Sequence, residues 1–308
     1  MDVRIRPLRE ADLGEADRVF RLAFGTFLGL EDPATFSGDA DWIIARWRAD
    51  PTAAFAAEVE GRFAGSNLVT NWGSIGFFGP LSVHPDFWDR GIARRLLEPT
   101  MACFERWRTR HAGLYTFAQS PKHVGLYQRF GFYPRFLVAI LTQGAEARAT
   151  TARCLRFSEA PAGERAEHLT ACRALTNDVF DGLDLSREIA AVAAQSLGDT
   201  LLVHDGSRLE GVAVCHLGAG SEAGSGACYV KFAAARSGDG FGRLLDAVEA
   251  HAAQAGTSVT AGVNLGREDA YRRMLARGYR TAIQGVSMHR PNVAATDRPD
   301  VYVIDDWR

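Results

Sequence analysis

The sequence predicts an α/β fold, in the α+β sense of a mixed sheet with mostly antiparallel neighbours, written twice in tandem. Three observations predict it. From Val3 to Thr142 the apolar periodicities run in the order βααβββαβαβ. The same order returns from about Leu155 onward. And Gly91-Ile92-Ala93-Arg94 falls without a gap on Gly240-Phe241-Gly242-Arg243, while Gly131-Phe132 falls on Gly278-Tyr279. Each unit has the size of an ordinary domain, about 150 residues. The expected division of the 308 residues is a first domain over 1–145, a second over 152–292, and a tail over 293–308.

The elements follow in order. Val3 and Ile5 alternate with polar residues before Pro7, which reads as a short strand. Leu13, Ala16, Val19, Phe20 and Ala23 recur at helical spacing. A turn-rich stretch over 25–38 separates that helix from a second, Ala40 to Ala49, ended by Pro51. A three-strand meander is expected over 53–59, 63–70 and 74–83. A helix starts at Ile92 and carries Pro99, which must leave one backbone bond unmade. Leu114–Ala118 is a strand, Pro121–Phe130 a short helix and Phe132–Thr142 a last strand. GAEARATT, from Gly144 to Thr151, is small and polar and reads as a linker. The second round runs through helices at 162–175 and 185–197, strands at 200–204, 209–217 and 228–234, and a helix at 241–255. A strand at 258–263, a helix at 268–276 and a strand after Gly278 complete it. In the tail, Val301 and Val303 alternate with polar residues, so PDVYVIDDWR is expected to add an edge strand or to close a groove between the domains.

Composition narrows the function. The formal net charge is -2, which gives no nucleic-acid footprint and no acidic tail. The basic residues are nearly all arginine; the lysines are Lys122 and Lys231. Five scattered cysteines without a CxxC pair argue against a disulfide framework and against a zinc site, so no metal is expected. MDVRIRPLREADL has no apolar leader core, and no stretch approaches a membrane span; the expected location is the cytoplasm.

The stretch LSVHPDFWDRGIARRLLE (Leu81–Glu98) carries the chemistry. It leaves a strand, passes one arginine and one glycine, and enters a helix. A helix N-terminus offers unpaired N–H groups and a partial positive charge. Gly91 permits a sharp turn and close approach, and Arg90 adds a full charge, so the place favours a phosphate or diphosphate. It is neither a Walker A sequence nor a GxGxxG. An ordinary cap, with Asp89 as the capping side chain, explains the same residues.

The surroundings resemble the acetyl-CoA motif of the GNAT acyltransferase superfamily. The family's Gln/Arg-x-x-Gly-x-Gly/Ala loop is matched by Trp88-Asp89-Arg90-Gly91-Ile92-Ala93. SPKHVGLYQRFGF, Ser120 to Phe132, is similar to the family's Asn-x-x-Ala-x-x-Leu-Tyr-x-x-x-Gly-Phe, and IRPLREADL to its opening strand and helix. The resemblance covers 1–142 strongly and 153–292 weakly, through the repeat. It implies two splayed sheets flanked by helices, with acetyl-CoA as co-substrate. The pantothenate arm would lie against backbone of Leu81, Ser82 and Val83, and the diphosphate on the amides of the Trp88–Ala93 loop. Trp88 departs from the family's Gln or Arg, Ser120 from its Asn and His123 from its Ala. Ser120 before Pro121 suffices as a helix cap.

Acyl transfer to an amine requires the amine to lose a proton and the departing thiolate to gain one. The resemblance places Tyr127 beside the sulfur, and a phenol of pKa about 10 is a proton donor that stays neutral near pH 7. No base is evident: SIGFFGPLSV carries no acid, and Glu31, Asp32, Glu58, His84 and His123 are candidates without positional support. Phe77, Phe78, Phe87 and Trp88, or Phe36, Trp42 and Trp47, are candidates to line an acceptor pocket or to fill the core; Phe77 and Phe78 must point to opposite faces. The second copy has Asp239 where the first has Arg90, and Met274 where the first has Tyr127. The expectation is therefore a catalytic first copy and a degenerate second. The function expected is acetyl transfer from acetyl-CoA to a primary amine, on a small molecule or a peptide, by direct attack in a ternary complex. A non-catalytic acyl-CoA-binding module and a nucleotide-binding domain of another family are the competing readings.

Overall fold

The computed structural model describes residues 2–144 and 154–308, so most of the expected linker lies outside the described residues. The first copy consists of β1 (Val3–Pro7), α1 (Leu13–Leu28), α2 (Ile44–Ala49), β2 (Ala54–Val59), β3 (Arg62–Trp72), β4 (Ile75–Phe78), β5 (Ser82–Val83), α3 (Ile92–Trp107), β6 (His111–Thr116), α4 (Pro121–Gln128) and β7 (Tyr133–Gln143). The second consists of β8 (Cys154–Arg156), α5 (Arg165–Val179), α6 (Ser186–Gln195), β9 (Gly198–Asp205), β10 (Arg208–Gly218), β11 (Gly224–Ala235), α7 (Gly238–Gln254), β12 (Ser258–Asn264), α8 (Glu268–Ala276) and β13 (Arg280–Arg290). The tail adds β14 (Tyr302–Ile304).

The predicted order holds element for element, with one correction. The third strand of the first meander is not continuous over 74–83. It is two short strands, β4 and β5, separated by Gly79-Pro80-Leu81. Pro80 has no N–H to give to a ladder, which explains the interruption. The tail does form a strand: β14 pairs antiparallel with β11.

All the strands belong to one sheet. Its order is β1-β2-β3-β4-β6-β13-β7-β12-β11-β10-β9-β8. The middle of that order was not predicted. β7, the last strand of the first copy, pairs with β12 of the second. β13, the last strand of the second copy, pairs with β6 of the first. The two exchanged strands pair with each other, Gly285 opposite Val138 and Val286 opposite Leu137. The copies are thus joined through exchanged final strands.

In each copy one strand pair is parallel and parts after a short run. β4 and β6 pair from Ile75–His111 to Phe77–Gly113. β11 and β12 pair from Ala227–Ser258 to Val230–Ala261. The α3 face buries Ile92, Leu96, Leu97, Cys103 and Phe104, and Pro99 lies inside this helix as expected. Core residues of both copies meet in one cluster: Trp72, Ile75 and Phe77 pack with Leu185, Phe232, Val303 and Trp307.

Candidate active site

The first copy's fork is built by its local sequence. β5 leaves the ladder with β6 and stays on β3 alone, Ser82 opposite Ser66 and Val83 opposite Gly65. His84 N–H donates to Ala64 carbonyl at 2.9 Å. Alternation along a strand therefore turns the backbone groups of Val83, and of Leu81 before it, toward the gap. The Val83 carbonyl accepts the Trp88 indole N–H at 2.7 Å. That is what Trp88 does in place of the family's Gln or Arg: it fixes the loop on the strand it follows.

The next seven residues, 84–90, form the loop before α3. Asp89 and Gly91 both adopt left-handed backbone, at φ 61° and 75°. For Gly91 that conformation is inexpensive, and an added Cβ would meet nothing within 4 Å. The helix N-cap, Gly91, has no side chain and so does not itself cap the first-turn amides. Asp89, the residue that would have capped it, is instead paired with Lys122 at 2.6 Å. No acid stands in the first turn of α3, whereas Arg94 and Arg95 are exposed there. The guanidinium groups of Arg62 and Arg90 lie over the Phe87 ring, 5.2 and 5.6 Å from its centroid. Backbone amides and arginine side chains thus come together at the start of α3.

Tyr127, on α4, is buried and belongs to an apolar cluster with Phe78, Phe132 and Leu81. Its ring lies 5.7 Å from that of Phe78. Burial pushes the phenol well above its ordinary value, so it is a neutral O–H near pH 7. Ser120 caps α4, accepting from His123 N–H at 3.4 Å, as its sequence context required.

The other candidates have local work. Phe77 packs against Trp72 and Phe78 against Phe104 and Phe132, on opposite faces, both in the core. Phe87 is core beneath the loop. Phe36 stacks on Phe24, and the Trp47 indole donates to Leu8 carbonyl. Trp42 lies beneath the guanidinium groups of Arg46 and Arg308. Glu58 is held by Arg6, Asp32 accepts from Ala34 N–H, His84 accepts from Asp86 N–H, and the His123 ring lies 4.9 Å from that of Phe27. Glu31 is exposed.

A charged network under the fork was not anticipated. Arg46, fully buried, donates to Glu222 and to Gly79 carbonyl, both at 2.7 Å, and to Arg308 carbonyl. Lys231 bridges Glu222 at 2.5 Å and Glu188 at 3.0 Å. Burial alone would raise both carboxyls. The charge of Lys231 overrides it for Glu188, down to about 2, and Arg46 with Lys231 holds Glu222 well below the usual carboxylate range. Second-copy charges thus fasten the break between β4 and β5. One signal pointed here: Lys231 interrupts an apolar run, CYVKFAAA.

Residues 17–132 match the family described as acetyltransferase (GNAT) family. No curated protein sequence matches the chain. Among solved structures, a proposed acetyltransferase from Pyrococcus horikoshii superposes with a TM-score of 0.72 at 14% identity, covering 99% of this chain and 95% of that one. A GCN5-related N-acetyltransferase from Sphaerobacter thermophilus has a TM-score of 0.59 at 15% identity, covering 96% of this chain and 98% of that one. One from Anabaena variabilis has a TM-score of 0.55 at 12% identity, covering 94% of this chain and 72% of that one. These likenesses run through both copies and show the fold. The chain carries a GNAT acetyltransferase domain over residues 17–132 and is an acetyltransferase. Among the described residues, no helix is long and apolar enough to cross a membrane.

Proposed function

We propose that this GNAT chain transfers an acetyl group from acetyl-CoA to a primary amine, in a ternary complex, at the fork of its first copy. Residues 1–145 form the catalytic unit, and 152–292 a second unit without catalytic groups. The diphosphate rests on the amides of Trp88, Asp89, Arg90, Gly91, Ile92 and Ala93, with Arg90 supplying charge. The pantothenate arm runs along Leu81, Ser82 and Val83 like an added strand. Ser120 serves this site by capping the helix that carries Tyr127.

The amine, entering in its neutral form, attacks the thioester carbonyl, the C–S bond breaks, Tyr127 gives its proton to the sulfur, and the proton shed by the nitrogen passes to water, from which Tyr127 is reprotonated. A buried neutral phenol suits that role, because it holds its proton at neutral pH until a thiolate forms beside it. The observation that carries the reading is the N-terminus of α3. Its N-cap is a glycine, which has no side chain to cap it, and Asp89, the neighbouring carboxylate, is tied to Lys122 at 2.6 Å.

A thiol-release assay with acetyl-CoA over a panel of amines tests it. The wild type is expected to turn over at least one primary amine. Tyr127→Phe is expected to lower kcat by about 100-fold or more with little change in coenzyme A affinity. Unchanged kcat in Tyr127→Phe would remove the acid from the scheme.

A further inference from the structure

The repeat supplies its own comparison, and strand pairing fixes the register between the copies. The hairpins match, with Val59 opposite Arg62 and Asp205 opposite Arg208. Counting on, Gly65 corresponds to Gly211. Gly65 faces Val83, and Gly211 faces Ala235. Ser66 faces Ser82, and Val212 faces Ala234. Leu81-Ser82-Val83 therefore corresponds to Ala233-Ala234-Ala235. The gapless alignment expected from the two glycines is corrected here: between strand and N-cap the first copy has seven residues, 84–90, and the second has only Arg236.

Three features close the corresponding place in the second copy. The tail strand lies along it: Ile304 pairs with Ala233, Val303 with Ala234 and Tyr302 with Ala235. The nest is capped from within, because Ser237 Oγ accepts from Gly240 N–H at 3.0 Å, and Asp239 stands in the first turn. The approach is roofed as well. The Tyr302 ring lies 5.7 Å from that of Phe241, and its hydroxyl donates to Asp269 at 2.8 Å. Asp269 in turn holds Arg273, whose Nη1 donates to Gly238 carbonyl at 3.3 Å. The far side of the fork is filled too: a Cβ on Gly262 of β12 would lie 2.2 Å from Asp306 Cβ.

We infer that β14 occupies, along Ala233–Ala235, the place that the pantothenate arm takes along Leu81–Val83, so that each chain binds one coenzyme A and the second copy binds none. The correspondence rests on the reading of the first site, but the claim concerns the other one. The plug is anchored. Arg267, buried, pairs with Asp305 and donates to Val303 carbonyl at 2.9 Å and to Thr296. Beyond it the tail crosses to the first copy, where the Trp307 ring lies against Gly113, the last paired residue before that fork opens.

Calorimetric titration of the full chain with coenzyme A, with hydrogen exchange read by mass spectrometry, tests this. One site per chain is expected. Coenzyme A should slow exchange in peptides covering 81–95 and leave 230–242 unchanged. Without ligand, amides at 233 and 235 should already exchange slowly, and Ile304→Pro, which removes the β14 N–H that faces Ala233, should speed them. Where that variant does not fold, the wild-type titration and exchange map decide alone. Two sites per chain, ligand-induced slowing over 230–242, or fast exchange at 233 and 235 in the wild type would overturn the plug. Binding that leaves 81–95 unprotected, or no binding at all, would instead overturn the first-site reading, and slow exchange at 233 and 235 would still stand for the plug.

Discussion

Acidification below neutral pH is expected to loosen the seam between the copies through His111 and His289. His111 Nε2 and His289 Nδ1 lie 2.9 Å apart where β6 meets β13, and both residues are 1% exposed. The other ring nitrogen of His289 faces Ser287 Oγ at 3.1 Å. The pair shares one proton, and a further proton would create a cation in a dry place. Burial pushes His111 from 6.5 down to about 4, with Arg135 adding to the shift and Asp297 opposing it. His289 is pushed down by burial and then by His111. An unfolded histidine takes up its proton below about pH 6.5, whereas His111 in the folded chain waits until about 4. Between those values the unfolded state binds more protons, so stability falls as pH falls. At about pH 5 an unfolded imidazole is favoured over the folded one by about 30-fold in proton binding, or about 2 kcal/mol from His111 alone. Glu188 and Glu222, both held low, release their contribution only below about pH 4.5, so the windows separate. Urea denaturation at about pH 7.5, 6 and 5 reads the slope, and His111→Asn, which keeps a donor but cannot titrate here, should remove about that 2 kcal/mol of it. Equal stability of the wild type at about pH 7.5 and 5, or an unchanged slope in His111→Asn, would refute the assignment.

Other consequences follow from the same geometry. Arg90→Glu should raise the KM for acetyl-CoA by about tenfold to thirtyfold, less at high salt. Arg46→Met should destabilise the fold by about 3–5 kcal/mol in chemical denaturation, since it strands Glu222 and the Gly79 carbonyl; a variant that also carries Glu222→Leu should recover part of that loss. Gly113→Ala would place a Cβ 2.1 Å from the Trp307 ring and should cost about 1–3 kcal/mol of stability, whereas Gly242→Ala, with nothing within 4 Å, should not destabilise.

The order of elements was legible because apolar periodicity is a local property. α1 buries the residues its spacing assigned, and Ser120 caps α4 as its context demanded. Pro80 could have warned of the break between β4 and β5. Partner choice was not legible. β7 and β13 each bury one continuous run, Val138–Leu141 and Gly285–His289, which would serve equally in either copy, so nothing in their sequences announces the exchange. The shortened second loop was hidden for another reason. Gly91 and Gly240 align without a gap, and only strand register shows that the extra length entered β11 and α7. The Arg46–Glu222–Lys231–Glu188 network joins positions up to 185 apart in number, where no local pattern reaches.

The exchange gives a physical reason why a copy without the loop or the tyrosine still matters to the site. β6 forms one wall of the first fork. Its inner edge pairs with β4 only as far as Gly113, and its outer edge is held along Ala112–Thr116 by β13. Remove the second copy and β6 has three paired positions on one side and none on the other. The opposite wall depends on the same source, because the break at Gly79 is held by Arg46, which is neutralised by Glu222. Trp307 then seats on Gly113, so the strand that closes the second fork also braces the base of the first. A gap that must stay open against the tendency of neighbouring strands to pair needs both walls fixed from outside. In this chain the second copy and the tail supply that fixing.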